Sequence, residues 1–320
     1  MRVTFEGREY ELRPGESVLD GMARHGVRLP SACRSGTCQA CLLRAVSGDP
    51  GPAARRGLKP AWAASGYFLA CLARPPADLV IAPPGGTARI PATVERVRRL
   101  AADVLSVRLR PGRPLRFEPG QHLTVTREGG VTRTYSIASL PTATGDIELH
   151  VRLYPGGAMS GWLAGARRGA AVTVGSPAGE CFYVPGSPRA PLLLAGTGTG
   201  IAPLLAVARQ ALASGHQGPV AVLHGSATRP GLYLGTRCPA PLAAAARGRT
   251  VTWRTCVLEA GEDIVSAAVA ELGVLAAGPA SARAFLCGGP GVVRRLRRQL
   301  FLAGMPLAAI AADQFAAAAP

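Results

Sequence analysis

The sequence predicts a multidomain protein of three consecutive units: a small α+β unit, an antiparallel β-barrel and an α/β unit with a parallel sheet. Three observations support this prediction. A cysteine-rich segment flanked by strands and a helix fills residues 1–88, short β-rich runs recur over 89–188, and strands alternate with helices over 189–320. The 320 residues are 48% hydrophobic and 17% charged, which is typical of a folded globular chain rather than a disordered one.

The formal net charge of +17 comes almost wholly from arginine, since Lys59 is the only lysine. The excess is spread along the chain, and the one basic helical run, from Arg294 to Arg298, fits a solvated helix face. Because aromatic residues make up only 5% and no zinc-finger or RNP-type motif is present, we do not expect nucleic-acid binding. A dispersed positive field favours encounter with anionic nucleotides or an acidic protein partner.

Two segments bear on the location of the protein. Residues 1–10 alternate apolar and polar side chains as a strand does, and they lack the apolar core of a signal peptide. Residues 190–208 carry no charge, but glycines and Pro203 divide them into a strand, a loop and a helix start. We therefore expect a cytoplasmic monomer with no membrane span.

The first unit has the pattern of a small α+β domain. Ser17 is placed to cap a helix that runs through Arg24. The predicted strands are Val3–Phe5, Glu9–Arg13, Tyr67–Cys71 and Leu79–Ile81.

Four cysteines in this unit have the spacing of a metal centre. Cys33, Cys38, Cys41 and Cys71 are separated by four, two and twenty-nine residues, which is the plant-type [2Fe-2S] ligand spacing. Three thiolates in one short loop, closed by a distant fourth, can surround a two-iron cluster, and Gly36 keeps that loop small. A zinc site and scattered buried cysteines are the alternatives, although zinc usually takes paired C-x2-C hooks.

The sequence around these ligands resembles that of β-grasp ferredoxins over residues 1–85. The resemblance rests on Cys33-Arg-Ser-Gly-Thr-Cys38-Gln-Ala-Cys41 and on Phe68-Leu-Ala-Cys71. It implies that the four cysteines bind a [2Fe-2S] cluster.

The segment Pro83-Pro84-Gly85-Gly86 interrupts periodic structure, so a new domain is expected to begin near Ala88. Short β-rich runs separated by glycine and proline then predict a small antiparallel barrel. The predicted strands are Ala92–Val97, Val104–Arg110, His122–Thr126, Thr132–Ile137, Ile147–Leu153 and Ala171–Gly175.

Within the predicted barrel, Arg133-Thr-Tyr135-Ser136 carries groups that suit a flavin. A guanidinium can clamp a phosphate, a tyrosine ring can lie against an isoalloxazine, and a serine hydroxyl can bond its N5 and O4 edge. In isolation, an ordinary edge strand with alternating polar side chains explains these four residues better.

Two further stretches favour the flavin interpretation: Leu149-His150-Val151-Arg152, and a glycine turn that opens a helix at Gly156–Leu163. Small residues at a helix N-terminus let backbone N–H groups approach a phosphate. Together the stretches resemble the flavin-binding barrel of the ferredoxin reductase family. That resemblance implies FAD and the following binding residues: Arg133, Tyr135, Ser136, His150, Val151, Arg152, Gly157, Met159 and Ser160.

The last third alternates strands and helices, which predicts a parallel sheet with crossover helices. The predicted strands are Leu192–Ala195, Val220–Leu223, Val251–Val257 and Ala284–Cys287, and the predicted helices are Ile201–Leu212, Ile264–Leu272 and Val292–Leu302. Asp263 is a candidate N-cap of the second helix.

The first strand-to-helix turn reads Gly196-Thr197-Gly198-Thr-Gly200-Ile-Ala-Pro203, and its glycines allow a dinucleotide phosphate to reach the helix N-terminus. A Walker loop is excluded because no Lys-Ser/Thr follows. The turn resembles the Gly-x-Gly-x-x-x-Ala-Pro signature of ferredoxin reductases. Likewise, Cys287-Gly288-Gly289-Pro290 resembles their Cys-Gly-x-Pro turn, which implies a thiol beside the nicotinamide. We expect the other three cysteines, Cys181, Cys238 and Cys256, to be small buried residues.

The choice of coenzyme depends on the stretch after the second nucleotide-domain strand. This stretch has no acid to bond a ribose 2′-hydroxyl, whereas Ser226 and Arg229 could meet a 2′-phosphate. The family resemblance favours NADH, whereas Ser226 and Arg229 slightly favour NADPH. We favour NADH.

The three motif groups form one chemical route. A nicotinamide releases a hydride, which carries two electrons, whereas a [2Fe-2S] cluster accepts one electron at a time, so a flavin between them must split the pair. The chain resembles the reductase components of multicomponent oxygenases, in the group of benzoate dioxygenase reductase and soluble methane monooxygenase reductase. This resemblance implies an NAD(P)H:acceptor oxidoreductase in which Ser136 and Cys287 frame hydride transfer and an oxygenase or other electron-accepting protein is the partner.

Two alternatives to this function stay open. One is a reductase for a sugar-deoxygenation partner, and the other is a module that carries electrons or senses redox state without turnover. Family members commonly end in a residue pair whose ring covers the flavin. Asp313-Gln-Phe315 fits that pattern, although residues 316–320 extend beyond it.

Overall fold

The computed structural model describes residues 1–31, 33–36, 39–84, 89–275 and 278–315. The chain forms two compact units, residues 1–88 and 89–320. The second unit contains two separate sheets, and its division at residue 188 into a barrel and a nucleotide domain remains a proposal.

The first unit is a five-stranded sheet with two short helices, which confirms the predicted α+β class. The strands are β1 (Arg2–Phe5), β2 (Arg8–Glu11), β3 (Leu42–Ser47), β4 (Tyr67–Leu69) and β5 (Leu79–Ala82), and the helices are α1 (Val18–Arg24) and α2 (Pro60–Ala64). Their order in the sheet is β2-β1-β5-β3-β4, with β1 and β5 parallel. Ser17 caps α1 as predicted, since its Oγ accepts a hydrogen bond from the Asp20 backbone N–H at 3.1 Å.

The second unit begins with a six-stranded antiparallel sheet in the order β10-β7-β6-β11-β8-β9. Its strands are β6 (Ile90–Ala101), β7 (Val104–Pro111), β8 (His122–Arg127), β9 (Thr132–Ser136), β10 (Ile147–Arg152) and β11 (Ala171–Val174), and helix α3 (Ala158–Gly165) follows β10. A bridge between Ile137 and Leu149 joins the two outer strands, so the sheet closes into the predicted barrel. The buried side chains of these strands, such as Val107 and Leu149, alternate with outward polar ones.

The remainder of the second unit is an all-parallel sheet in the order β14-β13-β12-β15-β16. Its strands are β12 (Leu192–Thr197), β13 (Val220–Ser226), β14 (Val251–Val257), β15 (Arg283–Gly288) and β16 (Ile310–Gln314), and its helices are α4 (Ile201–Ala213), α5 (Ala240–Ala246), α6 (Ile264–Val274) and α7 (Pro290–Leu302). The strand order reverses between β12 and β15, and ligands of such sheets bind beyond the carboxyl ends of the strands at that point.

This sheet is apolar on both faces, because helices cover both. One cluster of buried side chains includes Leu193 and Leu286, and the other includes Leu192 and Phe285. Asp263 caps α6 as predicted and accepts the Ser266 backbone N–H at 3.2 Å. In the part of the chain that the structure describes, no helix is long and apolar enough to cross a membrane.

Candidate functional site

The cysteine loop of the first unit brings two of the predicted ligands into contact. The Sγ atoms of Cys41 and Cys71 lie 3.3 Å apart, and the two residues are only 4% and 7% exposed. Cys33 is on the surface, and its Sγ accepts a hydrogen bond from the Ser35 backbone N–H at 3.4 Å. Cys38, the remaining predicted ligand, lies outside the described residues.

The local sequence explains why the loop turns tightly here. Gly36 has a φ of +84°, and a Cβ at this position would lie 2.4 Å from Cδ1 of Leu72. The segment that carries Cys71 is fastened to the loop, because the Ala70 backbone N–H donates to the Cys41 carbonyl at 3.0 Å. The loop is therefore packed directly against the distant fourth ligand.

The donor set fits a two-iron cluster. Such a cluster is held by four cysteine thiolates, and Cys41 with Cys71 supplies one close pair of them. Burial, aided by the neighbouring Cys41 thiol, raises the pKa of Cys71 to about 11 and favours a protonated thiol in the absence of a ligated metal. Within the described ranges no group of three His, Cys, Asp or Glu side chains is close enough to hold a single metal ion.

The second unit contains a cavity of about 600 Å³ between the barrel and the nucleotide domain. The barrel contributes β9, β10 and the start of α3, and the nucleotide domain contributes the start of α4 and the end of β16. Of the predicted flavin residues, those that line the cavity are Arg133, Tyr135, Ser136, His150, Arg152, Gly157, Met159, Ser160 and Phe315. Val151 does not line it, because alternation along β10 turns its side chain into the barrel core, where it is 1% exposed.

The cavity lining suits a flavin with a diphosphate. Tyr135 supplies a half-buried aromatic ring, and burial raises the pKa of its hydroxyl to about 12. The Arg133 guanidinium makes no ion pair within the described ranges, so its charge is available to an anion. Arg152 is anchored instead, since its Nη1 donates to Asp103 Oδ2 at 2.7 Å.

Ser136 belongs to a polar contact that crosses from the barrel to the last strand of the nucleotide domain. Its Oγ donates to Asp313 Oδ2 at 2.9 Å. The same carboxylate oxygen lies 3.5 Å from Nδ1 of His122, which also lines the cavity. The serine hydroxyl is thus oriented by an acid that the sequence presents only as part of a C-terminal pattern.

His150 joins the barrel to the nucleotide domain. Its Nδ1 and the Tyr233 hydroxyl share a hydrogen bond of 2.8 Å, and its Nε2 lies 3.4 Å from Glu148 Oε1. The contact with His150 lowers the pKa of Glu148 to about 2 against the opposing effect of burial, and Ser106 adds a further hydrogen bond. These contacts fix the imidazole at the cavity wall.

The glycine-rich turn after β12 is built for close backbone approach. A Cβ on Gly200 would lie 2.5 Å from the Cys287 carbonyl oxygen, and one on Gly196 would lie 2.9 Å from the Gly200 backbone. Only glycine lets the start of α4 come this near to the end of β15. Pro203 lies in the first turn of α4 and lines the cavity, whereas the structure places Gly198 beside the Arg152 guanidinium.

Cys287 is buried beside a second cysteine at the end of β15. Its side chain is 0% exposed and does not line the cavity, and its Sγ lies 3.5 Å from Sγ of Cys181. Burial raises the pKa of this thiol well above its usual range. The reason is strand alternation, because β15 turns Cys287 toward a buried apolar cluster. The backbone of Gly288, next to Thr197, is instead what faces the glycine-rich turn.

Ser226 is the last residue of β13 and Arg229 follows it, so both lie at the carboxyl edge of the sheet. Ser226 Oγ is turned into the next turn, where a Cβ on Gly231 would lie 2.0 Å from it. The Arg229 backbone N–H donates to Glu259 Oε1 at 2.8 Å. Sequence reasoning missed Glu259, because the acid comes from the end of the following strand, thirty positions further along the chain.

Phe315 lies at the cavity as the family pattern suggests. Its ring is half-buried, and its backbone N–H donates to the Gly288 carbonyl at 2.8 Å. Residues 316–320 lie outside the described part of the chain.

Comparison with known families supports each part of this arrangement. Residues 2–76 match the 2Fe-2S iron-sulfur cluster binding domain, residues 91–183 the oxidoreductase FAD-binding domain, and residues 194–298 the oxidoreductase NAD-binding domain. These matches confirm the three predicted cofactors: a [2Fe-2S] cluster, FAD and a nicotinamide coenzyme.

Individual relatives match most of the chain. The chain is 37% identical over 246 residues to the reductase subunit of an aromatic O-demethylase from Amycolatopsis sp., covering 72% of this chain and 73% of the relative. It is 31% identical over 315 residues to the ferredoxin–NAD(P)+ reductase component of naphthalene 1,2-dioxygenase/salicylate 5-hydroxylase systems from Ralstonia sp., covering 94% of each.

A solved structure is similar to this chain over almost its whole length. The crystal structure of an Amycolatopsis cytochrome P450 reductase superposes with a TM-score of 0.65 and 30% identity, covering 98% of both chains. The chain therefore belongs to the family of reductase components of oxygenase systems, which join a [2Fe-2S] domain to FAD- and NAD-binding oxidoreductase domains.

Proposed function

We propose that this protein takes a hydride from NAD(P)H and delivers its two electrons singly, through FAD and a [2Fe-2S] cluster, to a partner oxygenase. The observation that carries the proposal is the cavity in which the Arg133-Thr-Tyr135-Ser136 strand meets the carboxyl edge of the nucleotide sheet. The thiol loop in the same chain supplies the one-electron centre.

When bound, the flavin supplies the conversion between a two-electron donor and a one-electron acceptor. The residues of the cavity bind and orient it. Arg133 offers an uncommitted positive charge to a phosphate, Tyr135 and Phe315 offer aromatic faces, and small residues at the start of α3 leave room for an anion.

Ser136 and Asp313 can move a proton at the cavity wall. Oxidation of NAD(P)H by two one-electron acceptors releases one proton in addition to the two electrons. The Ser136 hydroxyl donates to Asp313 Oδ2, so a proton taken up at Ser136 Oγ can pass to that carboxylate, and His122 lies 3.5 Å beyond. Cys287 is too deeply buried to take part in this step.

The coenzyme diphosphate is proposed to lie at the glycine-rich turn. The N-terminus of α4 has no side-chain cap, and the helix dipole favours an anion there. In the first unit, four thiolates are proposed to hold the cluster: Cys33, Cys38, Cys41 and Cys71.

An oxygenase is the electron acceptor that the relatives support, since they are named as reductase components of dioxygenase, monooxygenase and demethylase systems. That the chain acts as a cytoplasmic monomer is part of the proposal. The net charge of +17 favours an acceptor with an acidic docking face.

An anaerobic titration of the reconstituted protein with NADH tests the function. We expect the flavin absorbance to bleach and a one-electron cluster signal to grow in electron paramagnetic resonance. A cluster signal from a protein that binds no flavin would support the carrier module instead, and no bleaching with NADH or NADPH would contradict the proposed function.

A further inference from the structure

Two loops at the carboxyl edge of the nucleotide sheet are clamped together. One loop follows β13 and the other follows β14, and these strands are parallel neighbours with Ser226 opposite Val257. The Glu259 backbone N–H donates to the Ala227 carbonyl at 3.0 Å, and the Arg229 backbone N–H donates to Glu259 Oε1 at 2.8 Å. The two hydrogen bonds fix both the backbone and the carboxylate of Glu259.

The position of this clamp is where a nicotinamide dinucleotide presents its adenosine ribose. In a doubly wound sheet the diphosphate binds at the glycine-rich turn of one strand, and the ribose 2′ position is read just beyond the end of the adjacent strand. Here the glycine-rich turn follows β12, and β13 is the adjacent strand. The clamp therefore holds the Glu259 carboxylate next to the segment after β13, from which the 2′ position is read.

The chemistry of the clamp favours a diol over a phosphate. Glu259 Oε1 is held by the Arg229 backbone, and Oε2 makes no hydrogen bond or ion pair in the described part of the chain, so it can accept from ribose hydroxyls. A 2′-phosphate would bring two further negative charges next to this carboxylate. Adjacent like charges repel, and the hydrogen bond from the Arg229 N–H favours keeping the carboxylate in place.

The groups that would favour a 2′-phosphate are less well placed. The Arg229 guanidinium is exposed and forms no ion pair among the described residues, so it would have to be ordered on binding. Ser226 turns its hydroxyl into the neighbouring turn. A carboxylate held by a backbone hydrogen bond thus competes with an exposed guanidinium that has no ion pair among the described residues.

We propose that Glu259 is a specificity-determining residue that makes the enzyme select NADH over NADPH. The inference rests on the proposed function, because it assigns the coenzyme of the same hydride-donor site. It names a residue of the loop after β14 as the reader of the ribose, rather than Ser226 and Arg229, at and just after the end of β13, which the sequence suggests.

Two ligands that differ only in the 2′-phosphate test the proposal: 5′-ADP and 2′,5′-ADP, with binding to the full flavin- and cluster-loaded protein measured by calorimetry. We expect the native protein to bind 5′-ADP more tightly. Glu259→Gln keeps an oxygen for the Arg229 N–H and removes the charge, so it should tighten 2′,5′-ADP binding about tenfold or more and weaken 5′-ADP binding by less. A factor of ten corresponds to about 1.4 kcal/mol.

Glu128→Gln is the matched control, because it makes the same charge change on an exposed barrel loop. It should leave the preference between the two ligands unchanged. Adding Arg229→Gln to Glu259→Gln should remove the gained affinity for 2′,5′-ADP. If the glutamine variant fails to fold, Glu259→Ala tests the same change in relative affinity for 2′,5′-ADP and 5′-ADP.

Rates of flavin bleaching by NADH and NADPH separate failure of this inference from failure of the proposed function. We expect the NADH-to-NADPH ratio of kcat/KM to fall at least tenfold in Glu259→Gln. A native protein that prefers NADPH, or an unchanged ratio in both folded variants, would overturn the role of Glu259 while leaving the reductase function intact. Absence of bleaching by both coenzymes in the native protein would instead remove the function itself.

Discussion

Cys71 is the residue at which the cluster assignment is tested most simply. It is 7% exposed and its Sγ lies 3.3 Å from that of Cys41, so Cys71→Ser removes a thiolate with little change of shape. We expect loss of the one-electron cluster signal in electron paramagnetic resonance, while NADH still bleaches the flavin. Cys238→Ser, a half-buried cysteine of the nucleotide domain, serves as the control. A retained cluster signal in Cys71→Ser would refute the ligand assignment.

His224 gives a pH-dependent prediction for the nucleotide domain. The imidazole is packed among Tyr233 and Trp253, with ring centroids 5.7 and 5.9 Å away, and burial lowers its pKa to about 4. In the unfolded chain the pKa is near 6.5, so between these values the unfolded state binds a proton that the native state does not. The free energy of unfolding therefore falls as the pH drops from about 6.5 toward 4.

His224→Phe keeps an aromatic ring and removes the titrating group. When the pH is lowered from about 7.5 to about 5.5, the free energy of unfolding should fall in both proteins. The fall should be about 1 kcal/mol larger in the native protein than in this variant. Urea unfolding followed by tryptophan fluorescence measures the difference. His25→Gln, an exposed position in the first unit, should show the native pH dependence. If the free energy of unfolding falls equally in His224→Phe and in the native protein, groups other than His224 cause the acid sensitivity.

Individual residues also mark the limit of what could be predicted from the sequence. The cysteine pattern and the Arg-x-Tyr-Ser strand were recognisable because three cysteines, and all the residues of the strand motif, lie within a few adjacent positions. Asp313 with Ser136, Tyr233 with His150, and Glu259 with Arg229 meet only after the sheets form. For Cys287, a local motif predicted a role, whereas the burial of the side chain follows from the packing of β15 and was not visible in the motif.

At the scale of elements, the glycine-rich turn is predicted to depend on backbone contact rather than on flexibility. A Cβ on Gly200 would lie 2.5 Å from the Cys287 carbonyl oxygen, so Gly200→Ala must push α4 away from β15. We expect this variant to lose about 1 to 3 kcal/mol of stability and to bind NADH more weakly. Denaturant unfolding and coenzyme titration measure the two effects.

The matched control is Gly273→Ala in α6, where an added Cβ meets nothing within 4 Å. Alanine is the better helix former, so this variant should be unchanged or more stable by up to about 1 kcal/mol. Equal changes in the free energy of unfolding for the two variants would show that the close approach at Gly200 does not restrict the side chain there.

Elements with a strong hydrophobic period were predicted with the correct type, whereas several elements without one were missed. The alternating and apolar runs that became β7, β10 and β12 left no ambiguity. In contrast, β16 reads Ile-Ala-Ala-Asp-Gln, which lacks the alternating large apolar side chains typical of a strand. Helix α5 is mostly alanine and lacks the large apolar side chains that define the buried face of an amphipathic helix. β3 lies close behind the cysteine loop, where the ligand motif obscures its alternation.

At the scale of the molecule, the chain combines a one-electron centre in one unit with flavin and nucleotide sites in the other. The chemistry explains why all three belong to one protein. A hydride donor and a one-electron acceptor cannot be coupled without a group that handles both. The family order of the domains matches the order in which the sequence presents its motifs.

Anaerobic stopped-flow absorption, with NADH mixed into the fully loaded protein, tests this coupling most directly. The account predicts that flavin absorbance falls first and that cluster absorbance falls afterwards, with both changes dependent on NADH. Cluster reduction that precedes flavin bleaching, or a thiolate loop that holds zinc in place of iron and therefore shows no second phase, would contradict it.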